Sequence, residues 1–387
     1  MSKWKYTGRP ASEDKLDRVG KIRKRKNPKK KVAGEASFDR DEAEWAAIPD
    51  EGWFAARVVE VHKRYAFVSP EPEPGRISTR DVWLVTIARR WLALEKTERN
   101  LVAVGDRVLI RPSTDKDEPV ETDLPCGIIE YRAPRLKKIR RCDPANPEIE
   151  HVLAANVDQL VVVASYLQPK IRWGLLDRYL LLAEEQELDV LIVLNKRDLL
   201  EAGKDEKFRQ VCEQQTETYR GLGYKVVSFS ALKDGPASAA AEEIRASLEN
   251  RVSIFSGHSG VGKSSIVNLF RPEIVQEVEP NAEIFYKGRH TTTYASMIKL
   301  GTGGFVVDTP GIRSFVVGKR TSVELAEGFR EIRALRQDCK FRECRHIDEP
   351  ECAVLAALAD GRINPLRYKS FKAMMLGESG REGRFRD

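Results

Sequence analysis

A glycine-rich turn in the second half of the chain has the residue types of a phosphate-binding loop. The apolar run 252–255 precedes it and an amphipathic run ending at Phe270 follows it. Strand, loop and helix in this order are the context that a phosphate-loop motif requires. The motif is Gly257-x-x-x-x-Gly262-Lys263-Ser264. Backbone N–H groups and the N-terminus of the following helix attract anions, so the turn predicts polyphosphate binding.

Two residues of this motif carry side chains suited to phosphate and metal chemistry. Lys263 would reach the outer phosphates, and the Ser264 hydroxyl would bind Mg²⁺. His258 and Ser259 are expected to be exposed side chains of the turn. The residues predicted to hold the nucleotide phosphates are Gly257, His258, Ser259, Gly260, Val261, Gly262, Lys263, Ser264 and Ser265.

A second polar turn, Asn195-Lys196-Arg-Asp198, follows the apolar run 190–194, where the carboxyl edge of a sheet offers ligand sites. A carboxylate placed like Asp198 can accept hydrogen bonds from guanine N1–H and N2–H₂. Adenine lacks this donor pair and would leave the carboxylate unpaired, which is a strong form of rejection. The stem of Lys196 can lie along the base, and Asn195 can tie the loops together. This turn predicts guanine rather than adenine.

Two further segments complete a nucleotide site. Ser230 and Ala231 end another apolar run, and the Ala231 amide could contact guanine O6. The segment Phe305-Val-Val-Asp308-Thr-Pro-Gly311 ends in an acid and a turn. Asp308 would hold Mg²⁺ and the Gly311 N–H would contact the γ-phosphate. Between the phosphate loop and Asp308 lies the polar segment 288–293, in which Thr291, Thr292 or Thr293 would close over the metal.

The order of these motifs is unusual. In ordinary GTPases the phosphate loop comes first, whereas here Asn195 and Ser230 precede Gly257, and Asp308 comes last. A wound sheet tolerates such a circular permutation when its old termini lie close together. In motif kind and order the chain resembles the circularly permuted, ribosome-small-subunit-dependent GTPases of the RsgA family, over roughly residues 52–375.

The resemblance implies a multidomain α/β protein. An OB-fold barrel would come before the permuted P-loop GTPase domain, a parallel sheet with helices on both faces, and a zinc-binding helical domain would follow. Several short strand-like runs in residues 53–131 favour a small barrel independently of the resemblance. The expected divisions are a basic and unstructured arm at 1–50, the OB-fold at 51–134, a basic linker at 135–150, the GTPase domain at 151–325 and the zinc-binding domain at 326–387.

Four soft metal ligands lie close together near the C-terminus: Cys339, Cys344, His346 and Cys352. Three thiols and an imidazole satisfy a closed tetrahedral zinc site with no place for catalytic water. The spacing is not a paired C-x-x-C, and buried cysteines beside a surface histidine are the alternative. The family resemblance favours one structural Zn²⁺ per chain.

Charge and hydropathy limit the cellular role. The net charge is +7, and residues 21–31 carry eight basic residues and no acid. Such a block commonly contacts nucleic acid, although a solubilising tail is the alternative. A second basic stretch, 132–141, is open between RNA contact and a solvated linker. Without a long apolar run or a secretory leader, the chain is expected to be cytoplasmic and free of membrane contact. A monomer is also expected.

The resemblance implies a GTP hydrolase that is activated by the small ribosomal subunit and acts late in the assembly of that subunit and its rRNA. Ile312 stands where many GTPases place a water-orienting glutamine, so intrinsic turnover should be slow. His290 is a candidate replacement in a catalytic set with Lys263, Asp308 and Gly311, and an RNA contact or a solvent-exposed role is its alternative. A GTP-sensing RNA placeholder with incidental hydrolysis is the second hypothesis. An ATP-dependent RNA-remodelling enzyme is disfavoured by Asp198.

Overall fold

The computed structural model describes most of the chain. The described residues are 38–45, 52–71, 77–78, 81–91, 101–115, 117, 122–142, 150–271, 295–308 and 320–377. Predictions on the basic block 21–31, on the switch segment 288–293 with His290 and Thr291–Thr293, and on Gly311 and Ile312 therefore lie outside the described residues. Asp308 is described by its backbone alone.

The N-terminal part folds into a closed five-stranded barrel. Its strands are β1 (Phe54–Val61), β2 (Ala66–Pro70), β3 (Trp83–Ile87), β4 (Arg107–Pro112) and β5 (Cys126–Arg132), preceded by the helical turn α1 (Glu42–Trp45). The strand order is β1-β2-β3-β5-β4, and β4 pairs with β1 to close the ring. Val58, Val68 and Ile129 point inward and are fully buried. The order and closure are those of an OB-fold, so the predicted barrel is confirmed.

The region predicted as a basic linker contains regular structure. β6 (Lys138–Cys142) pairs antiparallel with β7 (Glu150–Ala155) in a separate two-stranded sheet. This hairpin is anchored by Ile139 and Ala154, which are both fully buried. Ile139 lies within the basic stretch 132–141, so one face of that stretch packs against the core.

Two arginines of the basic stretch 132–141 do not have the predicted role. Arg132 donates to both carboxylate oxygens of Asp39, at 2.7 and 2.9 Å, and its side chain is 5% exposed. Arg135 pairs in the same way with Asp106, a side chain that is fully buried. Buried cations need such partners because their desolvation is costly. Neither RNA contact nor a solvated linker describes these two residues.

The second half of the chain forms the sheet of the nucleotide domain. Its strands are β8 (Gln159–Ser165), β9 (Asp189–Asn195), β10 (Lys225–Ser228), β11 (Val252–Ser256), β12 (Ser296–Lys299) and β13 (Phe305–Asp308). They are ordered β10-β9-β8-β11-β13-β12, and all are parallel except β12, which runs antiparallel to β13.

Helices cover both faces of this sheet, as predicted. They are α2 (Trp173–Glu185), α3 (Arg197–Ala202), α4 (Glu206–Gly221), α5 (Ala239–Leu248) and α6 (Lys263–Leu269). Alternate residues of β8 enter different cores: Leu160 packs in the cluster that holds Leu176 and Tyr219, whereas Val161 packs in the cluster that holds Ile244 and Ile266. A strand buried on both faces explains the continuous apolar run in the sequence.

The barrel and the nucleotide domain share one hydrogen-bonded sheet. β1 pairs antiparallel with β12 through Glu60 and Ser296, and the Val61 N–H donates to the Ala295 carbonyl at 3.4 Å. The barrel residue Phe67 also packs in the same apolar cluster as β8 and α2. The barrel is thus joined to the strand that follows the switch segment.

The C-terminal region is a small helical domain. It contains α7 (Ser322–Glu327), α8 (Arg330–Leu335), the 3₁₀ turn Arg336–Asp338, α9 (Ala353–Ala359) and α10 (Pro365–Met375). Thr321 and Glu324 form a reciprocal capping box at the start of α7. Within the described ranges, no helix is both long and apolar enough to cross a membrane.

A buried ionic cluster fastens this domain to the nucleotide domain. Arg367 of α10 donates to Asp177 of α2 at 2.5 Å and to both carboxylate oxygens of Glu331, at 2.7 and 3.0 Å. The side chains of Arg367, Asp177 and Glu331 are 1%, 0% and 9% exposed. The Tyr219 hydroxyl donates to the same oxygen of Asp177 at 2.6 Å. This cluster joins helices α2, α4, α8 and α10.

Candidate nucleotide site and metal cluster

The carboxyl ends of four parallel strands bring the separated motifs to one edge of the sheet. Asn195 ends β9, Ser228 ends β10, Ser256 ends β11 and Asp308 ends β13. Ligands of open α/β sheets bind at this edge, beyond the ends of the strands. Motifs that are shuffled in the chain therefore become neighbours in the fold.

The phosphate loop needs its glycines at two positions where the chain approaches other groups closely. Gly257 has φ of +140°, and a Cβ there would lie 2.0 Å from the Val163 carbonyl oxygen. Gly262 has φ of +98°, and its Cβ would lie 2.2 Å from Nδ2 of Asn195. Left-handed backbone and absent side chains are what glycine permits. The loop can thus pack directly against β8 and β9.

Lys263 lies at the start of α6, as the motif predicts. Its ammonium donates to the carbonyl oxygens of Gly257 and His258, both at 2.8 Å. These bonds fold the lysine back across its own loop. Ser264 and Ser265 follow in the first turn of α6, where unpaired backbone N–H groups favour anions.

Asn195 connects the phosphate-loop motif to the turn that holds Ser230 and Ala231. Its Nδ2 donates to the Val261 carbonyl at 2.8 Å, and its Oδ1 accepts from the Ala231 N–H at 3.0 Å. The side chain is buried, since Asn195 is only 2% exposed. The tie between loops expected from the sequence is present. The Ala231 amide, proposed from the sequence for guanine O6, here donates to Asn195.

Lys196 reinforces this connection from the adjacent position. It adopts a left-handed conformation with φ of +60°, which few residues other than glycine adopt. Its Nζ donates to the Gly260 carbonyl at 2.8 Å and also to the Gln168 carbonyl. The second turn therefore contacts the phosphate loop through two consecutive side chains.

Asp198 is aligned by a hydroxyl from the third turn. The Ser230 Oγ donates to Oδ1 of Asp198 at 2.6 Å, and Ser230 is 2% exposed. Sequence reasoning missed two residues beside this contact, Arg197 and Asp234, whose side chains pair at 2.8 Å. In the sequence, Arg197 and Asp234 are one basic and one acidic residue in two separate turns. Such residues are usually ordinary surface residues, so nothing in the sequence indicated that they pair.

The four predicted zinc ligands meet at one point. The Sγ atoms of Cys339 and Cys352 are 3.9 Å apart, and His346 Nδ1 lies 3.6 and 3.4 Å from them. All four ligand atoms, including that of Cys344, lie within 4.8 Å of one another. A tetrahedral zinc ion with ordinary bond lengths separates two sulfurs by about 3.8 Å and a sulfur and a nitrogen by about 3.6 Å. The cluster fits a structural zinc site.

Burial shifts the pKa values of the cluster residues, and hydrogen bonds hold the loop between Cys344 and Cys352. Burial lowers the pKa of His346, which favours the neutral imidazole that binds metal. Burial also raises the pKa of Cys344 to about 12, so a cation must displace its proton. The Tyr368 hydroxyl donates to the His346 carbonyl at 2.8 Å, and the Glu349 carboxylate accepts the N–H groups of Arg345 and Ile347. The intervening loop is thus rigidly held.

Two other described cysteines, Cys126 and Cys212, do not join this cluster. Cys212 is fully buried in the apolar core near α2 and α4, and Cys126 is half-buried. Burial raises the pKa of both thiols. They pack as small apolar side chains.

A phosphate loop joined to N-K-x-D and S-A turns that precede it in the chain defines a circularly permuted P-loop GTPase. A family model described as RsgA GTPase matches residues 132–318. The small ribosomal subunit biogenesis GTPase RsgA of Chlorobaculum parvum is 41% identical over 288 residues, which cover 73% of this chain and 86% of the relative. The protein of the same name from Mannheimia succiniciproducens is 36% identical over 73% of this chain and 75% of its own length.

Solved structures agree with this assignment. YjeQ from Thermotoga maritima has a TM-score of 0.63 and 29% identity, and the match covers 85% of this chain and 99% of that one. YloQ, described as a circularly permuted GTPase, has a TM-score of 0.61 and 26% identity over 86% of this chain and 98% of its own. The chain belongs to the RsgA GTPase family, and the family and enzyme class predicted from the sequence are confirmed.

Proposed function

We propose that this GTPase acts in the biogenesis of the small ribosomal subunit, and that the subunit with its rRNA stimulates GTP hydrolysis. The relatives that carry this role in their names match most of the present chain. The observation that carries the proposal for the site is the direct bonding of Asn195 and Lys196 to the phosphate loop. That contact joins the N-K-x-D turn to the phosphate-loop motif, which supports a single guanine nucleotide site despite the permuted order.

In this proposal the phosphates lie against the N–H groups of the loop 257–265. Lys263 would exchange its contacts with loop carbonyls for the outer phosphates. Mg²⁺, held by Ser264, Asp308 and one switch threonine, Thr292 among Thr291–Thr293, would neutralise charge on the β- and γ-phosphates. Guanine would pair with Asp198, the stem of Lys196 would cover the base, and the Ala231 N–H would turn to O6.

Hydrolysis also requires a positioned water. An isoleucine such as Ile312 cannot orient water by hydrogen bonding, which predicts slow turnover in the isolated protein. We assign water positioning to His290 and γ-phosphate contact to Gly311, with the subunit ordering this set. Preorganised positioning and charge stabilisation supply most of the catalysis in phosphoryl transfer.

The other parts of the chain would serve binding to the subunit. The divisions proposed are a basic arm at 1–50, the barrel at 51–134, a connection at 135–150, the GTPase domain at 151–325 and the zinc-binding domain at 326–387. OB-folds bind nucleic acid through one sheet face and adjacent loops. Zn²⁺ on the Cys₃His cluster would be structural, and the protein would act as a cytoplasmic monomer.

The test is the GTPase rate of the zinc-loaded full chain with and without small ribosomal subunits. We expect strong stimulation by intact subunits and little by free rRNA. A Lys263→Ala variant should lose the stimulated rate because the outer phosphates lose their cation, and Lys207→Ala on the exposed face of α4 is its control. Equal rates with and without subunits would refute the proposed activation.

A further inference from the structure

We propose that Asp234 is a positioning residue for guanine recognition. It would hold Ser230, and through Ser230 the Asp198 carboxylate, in the orientation that reads the base. This inference deepens the proposed function and depends on it. Asp234 itself would not touch the nucleotide, since it acts through the two residues that it fixes.

Asp234 holds both backbone groups of Ser230. Its Oδ2 accepts from the Ser230 N–H at 2.7 Å, and its own N–H donates to the Ser230 carbonyl at 2.9 Å. The Ser230 hydroxyl is left to donate to Asp198 Oδ1, at 2.6 Å. Because the hydroxyl is carried on a backbone held at both ends, its direction toward Asp198 is fixed.

Arg197 closes this arrangement into a ring. Its Nη2 donates to Oδ1 of Asp234 at 2.8 Å, and its backbone N–H donates to the Phe229 carbonyl at 3.0 Å. Arg197 directly precedes Asp198, and Phe229 directly precedes Ser230. The turn that holds Asp198 and the turn that holds Ser230 are therefore bonded to each other through both side-chain and backbone groups.

The chemistry of the carboxylate explains why an acid is needed here. Its two oxygens serve different partners, Ser230 N–H and the Arg197 guanidinium. An asparagine offers one acceptor oxygen and would turn its NH₂ group toward one of these donors. Asp234 is also largely shielded, since its side chain is 12% exposed. If the NH₂ group faced the Ser230 N–H, that buried donor would have no acceptor, and an unpaired buried donor is costly.

A fixed Asp198 contributes to selectivity as well as affinity. Binding a base to a carboxylate already held in place avoids the cost of ordering the carboxylate on association. Alignment matters most for the guanine N2–H₂ group, which hypoxanthine lacks. The ratio of affinities for GDP and IDP therefore measures how well Asp198 is aimed, whereas a general loss of folded protein lowers both affinities equally.

The experiment is calorimetric titration of zinc-loaded full-length protein with GDP, IDP and ADP. For Asp234→Ala we expect GDP affinity to fall by about tenfold or more and IDP affinity by less than about threefold. Asp234→Asn should lie between wild type and Asp234→Ala. Arg197→Ala should cost less, because it leaves the Ser230–Asp234 bond intact. Asp234→Glu, which keeps two acceptor oxygens, should recover part of the GDP/IDP ratio.

Asp205→Asn is the matched control. Asp205 caps α4 by accepting from Phe208 N–H at 3.0 Å on an exposed surface, and its substitution should leave the GDP/IDP ratio unchanged. Equal losses of GDP and IDP affinity in Asp234→Ala, or no loss of either, would overturn the positioning role. A wild-type protein that binds ADP as tightly as GDP would instead refute the proposed guanine site itself.

Discussion

Replacing Arg367 by alanine should detach the C-terminal domain from the GTPase domain. The substitution leaves Asp177 and Glu331 as buried carboxylates, and the guanidinium also packs 4.5 Å from the ring centre of Phe329. Removing one partner of a buried ion pair costs about 3–5 kcal/mol. A loss of this size lowers the free energy of local opening by the same amount, which increases the open population by roughly 10²–10⁴-fold.

The assay is hydrogen exchange of the amides in α2 and α10, which the ionic cluster joins. Exchange limited by local opening should accelerate by the same factor in both helices, while the barrel strands keep their protection. Arg362→Ala is the control, since its ion pair with Asp360, at 3.4 Å, is exposed on both sides. Exposed pairs contribute about 0–1 kcal/mol.

A second variant separates charge from packing. Combining Arg367→Met with Asp177→Asn and Glu331→Gln removes all three charges and keeps the side chains similar in volume. This variant leaves no uncompensated buried charge, which is the main cost of Arg367→Ala, so it should recover part of the lost protection. If Arg367→Ala changed exchange in α10 by less than about threefold, the assignment of the cluster as the main attachment would be wrong.

Three further outcomes are expected. Asn195→Ala should weaken GDP binding by about tenfold or more, because the buried Val261 carbonyl and the half-buried Ala231 amide both lose their partner; fluorescence titration measures this. Cys344→Ala, or removal of zinc by a chelator, should unfold the C-terminal domain and expose it to trypsin, since metal binding and folding are coupled. Hydrogen bonds from the Thr321 backbone and hydroxyl lower the pKa of Glu324 below its ordinary value of 4.5. The stability contributed by the Glu324 charge should therefore be complete above pH 4.5 and fade as the pH falls below it, and this pH dependence should be absent in Glu324→Gln, which can still form the capping box.

Each of these outcomes has a contrasting result. Asn268→Ala, on the exposed side of α6, should bind GDP like wild type, and a similar loss in both asparagine variants would contradict the role of Asn195. Trypsin resistance that survives complete loss of zinc would contradict a structural role for the metal. Parallel pH profiles of unfolding for wild type and Glu324→Gln would contradict the pH assignment.

The fold was predictable from the sequence where local chemistry and position agreed. A side chain at Gly257 would meet the Val163 carbonyl, and one at Gly262 would meet Asn195. The glycines of the motif are therefore required by packing as well as by the predicted phosphate binding. The consecutive apolar residues 160–164 of β8 are typical of a strand covered on both faces, and alternate residues of this run do enter two cores.

Other features depend on partners distant in the chain, which one sequence does not reveal. Arg132 and Arg135 belong to a basic run that suggested RNA, but their carboxylate partners come from segments 93 and 29 residues away. The pairing of Arg197 with Asp234 likewise becomes visible only when two turns meet. A run of basic residues predicts a positively charged surface. It does not show which of those side chains are paired with carboxylates inside the fold.

The pairing of β1 with β12 also determines what would happen to a truncated protein. Among the described strands, β12 is the last of the nucleotide-domain sheet and has β1 as its outer neighbour. Deleting the barrel would leave that strand with open backbone donors and acceptors, a template for pairing with other chains. The barrel thus acts as a cap against self-association, and fragments that begin at the GTPase domain should be prone to aggregate.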